Sequence, residues 1–153
     1  MASAAEYLVD TNILLRISRQ DDPQHALIAT TLTELDDQGA VLYYSLQNIA
    51  EFWNVCTRPE DRNGYDLSIP ETSRRVNFIE SKMTFLPDNE RVYSNWRRLV
   101  IGNNVRGVQV HDARLAAIMQ AYGLRDILTL NEPDFLRYAG IRAVHPNQIQ
   151  PAR

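Results

Sequence analysis

Strand-like runs and helix-like stretches alternate along nearly the whole chain, and no tight two-residue turn joins one strand-like run to the next. The runs are Tyr7–Val9, Val41–Tyr44, Phe85–Leu86, Asp126–Leu130 and Arg142–Val144. Between them, the spacing of apolar residues predicts helices over 13–18, 24–37, 46–56, 70–82, 90–101 and 111–122, with a short one over 135–138. Strands kept apart by helices cannot pair as hairpins and must cross over to lie side by side. The order therefore predicts an α/β fold, a three-layer sandwich whose central, mostly parallel sheet is flanked by helices. Local signals agree: Ser45 suits an N-cap, Pro70 a first helical turn, and Gly39 and Gly123 helix stops. The polar stretch Arg58–Gly64 reads as a mobile surface loop. With 153 residues the chain can bury a self-sufficient core, and it is read as one domain over 1–153 with a tail from about 146.

Composition narrows the function only loosely. A formal net charge of −3 does not announce a nucleic-acid partner. No apolar run is long enough to span a bilayer, and the start lacks a basic segment followed by an apolar one. Cys56 is the single cysteine, which excludes an internal disulfide and, with the rest, predicts a cytoplasmic protein without membrane attachment. Lys82 is the only lysine, so the basic side chains are otherwise all arginine. Arginine suits bidentate recognition of phosphate, although codon bias would leave the same pattern.

Several chemistries fail on motif. There is no glycine-rich phosphate loop ending in Gly-Lys-Ser/Thr, no Gly-x-Gly-x-x-Gly, no His-Glu-x-x-His and no Gly-x-Ser-x-Gly elbow. His25, His111, His145 and Cys56 lack zinc-site spacing. What remains is a set of carboxylates at element boundaries. Asp10 ends the first apolar run, where a charge is costly unless it is paired or holds a cation. Thr11 or Asn12 would cap the helix that follows, and Asp10 could instead bond that helix's free amides. Asp112 lies on one helical stripe with Leu115, Ala116 and Met119, so an acid begins a buried face; the helix dipole also favours an acid in a first turn. Glu51 falls opposite the stripe Ile49, Phe52, Trp53 and Cys56, which reads as a solvated surface. Asp134, with Glu132 beside it, follows the fourth run by about one turn and fits ordinary turn chemistry equally well.

In a doubly wound sheet, residues just beyond the strand carboxyl ends converge on one crevice. Asp10, Asp112 and the 131–134 turn can meet there. Oxygen-only ligands select hard cations such as magnesium or manganese, which can activate water for phosphodiester hydrolysis. A receiver-type phosphotransfer domain also gathers acids but needs a nearby lysine, and Lys82 is not at a plausible strand end.

Four segments, in order, carry a family resemblance: Leu8-Val9-Asp10-Thr11-Asn12; Ser45 through Glu51-Phe52; His111-Asp112-Ala113-Arg114-Leu115-Ala116-Ala117; and Ile127-Leu128-Thr129-Leu130-Asn131 with Asp134-Phe135-Leu136-Arg137. Over essentially its whole length the chain resembles the PIN-domain family, and in size and layout a VapC-type toxin ribonuclease. The resemblance implies that Asp10, Glu51 and Asp112 are metal-binding acids, with Asn12 and Thr129 supporting them through hydrogen bonds. It implies cleavage of RNA with Mg²⁺ or Mn²⁺, a homodimer, and inhibition by a small VapB-like antitoxin. Where many members carry a fourth acid, this chain has Asn131, so Asp134 is the fourth candidate and Asn131 a supporting one. Arg16 and Arg114 are candidate substrate contacts, although Arg114 points away from Asp112 on the helix wheel. Trp53 and Trp96 are read as core or dimer anchors. The reading is a metal-dependent endoribonuclease, the toxin of a toxin–antitoxin pair. The alternative is a catalytically silent PIN-like module that binds antitoxin or RNA without cleaving, which Asn131 would favour.

Overall fold

A computed structural model of the chain describes residues 3–151. Five strands, β1 (Glu6–Val9), β2 (Val41–Ser45), β3 (Thr84–Leu86), β4 (Asp126–Leu128) and β5 (Arg142–Val144), form one sheet in the order β3-β2-β1-β4-β5. Every neighbouring pair is parallel, so the expected mostly parallel sheet is parallel throughout. The helices are α1 (Thr11–Ile17), α2 (His25–Asp37), α3 (Leu46–Thr57), α4 (Ile69–Lys82), α5 (Glu90–Gly102) and α6 (Val110–Tyr122).

Alternation along the strands builds two cores, one on each face of the sheet. Tyr7 and Val9 face a core completed by Ile13 and Leu14 of α1, Ile28 of α2, Phe52 of α3 and Ile79 of α4. Leu8, between them, faces the other core, with Val92 of α5, Leu115 and Met119 of α6, and Phe135. Helix α6 buries Ala113 and all of Leu115–Met119. A helix that is apolar nearly all round is one wedged into an interior.

The strand order reverses direction at β1. Segments β1 to β3 step one way across the sheet, and the chain then returns to place β4 and β5 on β1's other side. The gap beyond the ends of β1 and β4 is thus the topological switch point, where open α/β sheets bind ligands. Asp10 is the first residue past β1 and Thr129 the first past β4.

Some local expectations are corrected. The N-cap of α1 is Asp10 itself, not Thr11 or Asn12: its Oδ1 accepts from the Thr11 amide at 2.8 Å. Strand β4 ends at Leu128 rather than Leu130, and the turn after it is a short 3₁₀ helix over Glu132–Phe135, ahead of the helix expected over 135–138. In that turn Asn131 N donates to Thr129 Oγ1 at 3.0 Å. The loop Arg58–Gly64 is tied down by its backbone: Gly64 N donates to the Pro59 carbonyl at 2.9 Å, Tyr65 N to Val55 at 2.9 Å and Leu67 N to Cys56 at 2.8 Å. A Cβ at Gly64 would lie 1.9 Å from the Arg58 carbonyl oxygen, so only glycine fits this return.

Candidate functional site

Asp10 is 9% exposed and held on three sides. Thr129 Oγ1 donates to its Oδ2 at 2.7 Å and Asn12 Nδ2 to the same oxygen at 3.3 Å, while Thr11 N holds Oδ1. Its own amide donates to the Leu128 carbonyl at 2.9 Å, continuing the β1–β4 ladder one residue past the strands. Asn12 reaches across as well, its Oδ1 accepting from Leu130 N at 3.4 Å. Asp10, Asn12 and Thr129 therefore lock the switch point. Burial pushes the Asp10 carboxyl up to about 6, against the pull of the Thr129 and Thr11 hydrogen bonds, and the negative charges of Glu51 and Asp134 push in the same direction.

Helix α3 is seated on this corner by its first turn. Ser45 caps it through a reciprocal bond with Asn48, a box worth about 1 kcal/mol. Asn48 is fully buried; its Oδ1 accepts from Ser45 N at 2.9 Å and Ser45 Oγ at 2.8 Å, and its Nδ2 donates to Thr11 Oγ1 at 3.2 Å. The capping spacing identified Ser45 from sequence. That the same Asn48 also grips α1 was not legible.

One turn further along α3, Glu51 is half-buried, not solvated as its place on the helix wheel suggested. Its Oε1 is buried and has no hydrogen-bond partner. The helix-wheel reading assumed a single packed face, whereas α3 has a second neighbour in the first turn of α6. The contact is direct: Gln47 Nε2 donates to the His111 carbonyl at 2.8 Å. Asp112, next in sequence, is half-buried, and its carboxyl is pushed up to about 7, by burial first and then by the charges of Asp134, Asp10 and Glu51. Arg137 opposes that shift, while its Nη2 donates to Gln109 Oε1 at 2.8 Å. Arg137 had no assigned role in the sequence; only the fold brings its charge to Asp112.

The four candidate acids thus share one electrostatic neighbourhood. Asp134 sits exposed in the 3₁₀ turn, with its amide on the Asn131 carbonyl at 3.1 Å. Asn131 is exposed, and its backbone N–H supports Thr129. The two candidate arginines are engaged elsewhere: Arg16 pairs with Asp22 at 2.7 Å and Arg114 with Asp88 at 2.6 Å. Trp96 is half-buried and donates Nε1 to the Val110 carbonyl at 2.9 Å, and Trp53 packs at the edge of the α1–α4 core. A cleft of about 910 Å³ between the end of α1 and helix α4, lined by Arg19, Tyr65, Arg75 and Phe78, contains none of the acids.

The donor set is hard oxygen throughout, and the Glu51 oxygen is buried without a hydrogen-bond partner. Among the described residues, no three His, Cys, Asp or Glu side chains are gathered tightly enough to form a ready cage. Magnesium does not require one, because it keeps several waters and takes one or two carboxylates. The residues present fit a divalent cation of that kind.

A doubly wound parallel sheet with candidate acids near its switch point places the chain in the α/β class. Within that class, the chain belongs to the PIN domain family, whose model matches residues 7–141. Solved structures share the fold at low identity. VapBC-1 from nontypeable Haemophilus influenzae superposes with a TM-score of 0.69 at 15% identity, covering 93% of this chain and 98% of that one. VapBC2 from Rickettsia felis, bound to a DNA fragment from its promoter, gives 0.67 at 12%, covering 92% and 98%. VapC20 of Mycobacterium tuberculosis, a toxin that cleaves the sarcin–ricin loop, gives 0.59 at 14%, covering 79% and 86%. Among curated proteins there is no sequence match. No helix among the described residues is long and apolar enough to cross a membrane.

Proposed function

We propose that this chain is a metal-dependent endoribonuclease that hydrolyses RNA phosphodiester bonds, and that it is the toxin of a toxin–antitoxin pair. The observation that carries the reading is the convergence of Asp10, Glu51, Asp112 and Asp134 on one neighbourhood: burial first, and then the charges of the other acids, raise Asp10 and Asp112, and a Glu51 oxygen is buried there without a partner. Asp10, Glu51 and Asp112, with Asp134 at the rim, would hold Mg²⁺ or Mn²⁺. When bound, the cation supplies Lewis-acid stabilisation for the charge that builds on the phosphoryl oxygens.

The chain's own residues do the positioning. Thr129 and Asn12 fix the Asp10 carboxylate, so it needs no reorganisation when substrate arrives. Asp112, half-buried at the start of α6, would be ionised when it holds the cation. Arg137, exposed beside Asp112, is placed to screen the phosphate backbone. The solved relatives with this fold include VapBC complexes and a sarcin–ricin loop cleaving toxin, which supports an RNA substrate and a VapB-like antitoxin as partner. We extend the reading to a homodimer, which light scattering of the purified protein tests.

The central test compares purified protein with Asp10→Asn and Asp112→Asn on structured and single-stranded RNA, with Mn²⁺ or Mg²⁺ present. Both substitutions should abolish cleavage while circular dichroism stays unchanged. Cleavage retained in the double variant overturns the assignment. Turnover of a generic aryl phosphate, with RNA left intact, would make the protein a phosphatase instead.

A further inference from the structure

Two residues of α3 one turn apart, Gln47 and Glu51, each bury an oxygen that has no partner. Gln47 is only 8% exposed. The orientation of its amide is fixed by chemistry: Nε2 lies 2.8 Å from the His111 carbonyl, which can only accept, so the nitrogen must face it. The oxygen is therefore turned away from that contact, at the seam between the first turns of α3 and α6. Glu51 and Asp112 flank that seam, one turn along α3 and one residue past His111. A buried amide oxygen without a donor needs a reason, and ordinary packing does not give one. An apolar side chain would fill the same space, and the chain uses glutamine.

We infer that Gln47 is a positioning residue of the acidic site: its Nε2 holds the start of α6, and with it Asp112, against α3, while its free Oε1 offers a neutral oxygen to a divalent cation or to a water in that cation's shell. The inference rests on the metal-site reading above. Gln47 thus supplies a strut between the helices that carry Glu51 and Asp112.

Manganese binding to the whole protein, followed by electron paramagnetic resonance and by the Mn²⁺-induced rise in Tm, tests it with no need for a known RNA. Gln47→Leu should bind Mn²⁺ about 10-fold more weakly, as loss of an outer-shell partner does, and its Tm should rise less on adding Mn²⁺. Gln47→Glu, which keeps an oxygen at the position, should bind more tightly than Gln47→Leu. A purely structural role would lower Tm equally with and without Mn²⁺ and leave affinity unchanged; that result overturns the inference, as does Gln47→Glu binding no better than Gln47→Leu. If Gln47→Leu does not fold, Gln47→Met, which keeps the length and loses both polar groups, takes its place: weaker Mn²⁺ binding supports the inference, and native affinity overturns it. Asp112→Asn separates the two claims. If the native protein binds Mn²⁺, Asp112→Asn does not, and Gln47→Leu matches native, only the role of Gln47 falls. If native protein and Asp112→Asn bind equally or not at all, the metal-site reading falls and this inference with it.

Discussion

The two sides of the site are built on opposite principles. On the β1–β4 side, Asp10 receives hydrogen bonds from Thr11, Asn12 and Thr129, and even the bonding groups are themselves bonded. On the α3–α6 side, Glu51 and Gln47 keep buried oxygens unpartnered, and Asp112 is pressed upward by its burial first and then by three neighbouring acids. The first side is finished by the polypeptide alone. The second keeps buried oxygens without partners, as the proposed metal site would require. The fold thus fixes one acid rigidly and leaves the others less constrained.

The largest effect expected from breaking this contrast is on cleavage. Asp10→Asn and Asp112→Asn should each lower the rate of RNA cleavage by on the order of 10²–10³-fold or more, measured with purified protein at saturating Mn²⁺. Stability should separate them. In chelator-treated protein at pH 7.5, Asp112→Asn should be more stable than native by about 2 kcal/mol, after allowing for the solvent screening of a half-exposed group. Urea melts read this directly.

The pH dependence has a definite sign. In the folded chelated protein the Asp10 and Asp112 carboxyls titrate at about 6 and about 7, against 3.8 for an ordinary aspartate. Between about 4 and 7 the folded state therefore binds more protons than the unfolded chain, so stability contributed by these groups falls as pH rises through that window and levels off above it. The advantage of Asp112→Asn should shrink as pH falls through that window and vanish below about 3.8. An advantage independent of pH would show that charge repulsion is not its source.

On the finished side, Thr129→Val removes a buried donor to Asp10 and an acceptor for Asn131 N, and should cost about 1–2 kcal/mol in urea melts. The smallest effect belongs to Arg114→Ala. Its pair with Asp88 lies on the surface, so the change should stay below about 1 kcal/mol.

How much of this was legible in the residues varies by element. The parallel sheet followed from helices interposed between every strand-like run, and Ser45, Pro70 and Gly123 marked their helix ends as read, because caps are local chemistry. Asp10 and Asp112 stood out by position alone, an acid at a strand end and an acid on an apolar stripe. Glu51 did not, because a helix wheel registers one packed face and cannot see a second neighbour. Arg137 and Gln47 lay inside segments that carried the resemblance but had no role assigned to them; only the fold shows which residue each one meets.

The sequence by itself determined the alternation of strands and helices, the caps, and which residues are charged. These depend on neighbours three or four positions away. Only the tertiary structure decided that Thr129 would close on Asp10 across 119 positions, and that α3 and α6 would meet at Gln47 and His111 across 64. Those contacts follow from the reversal of strand order at β1, and no window of sequence contains it. The opening Leu8-Val9-Asp10 run placed an acid at a strand end; the switch point made that end the fixed corner of a shared site.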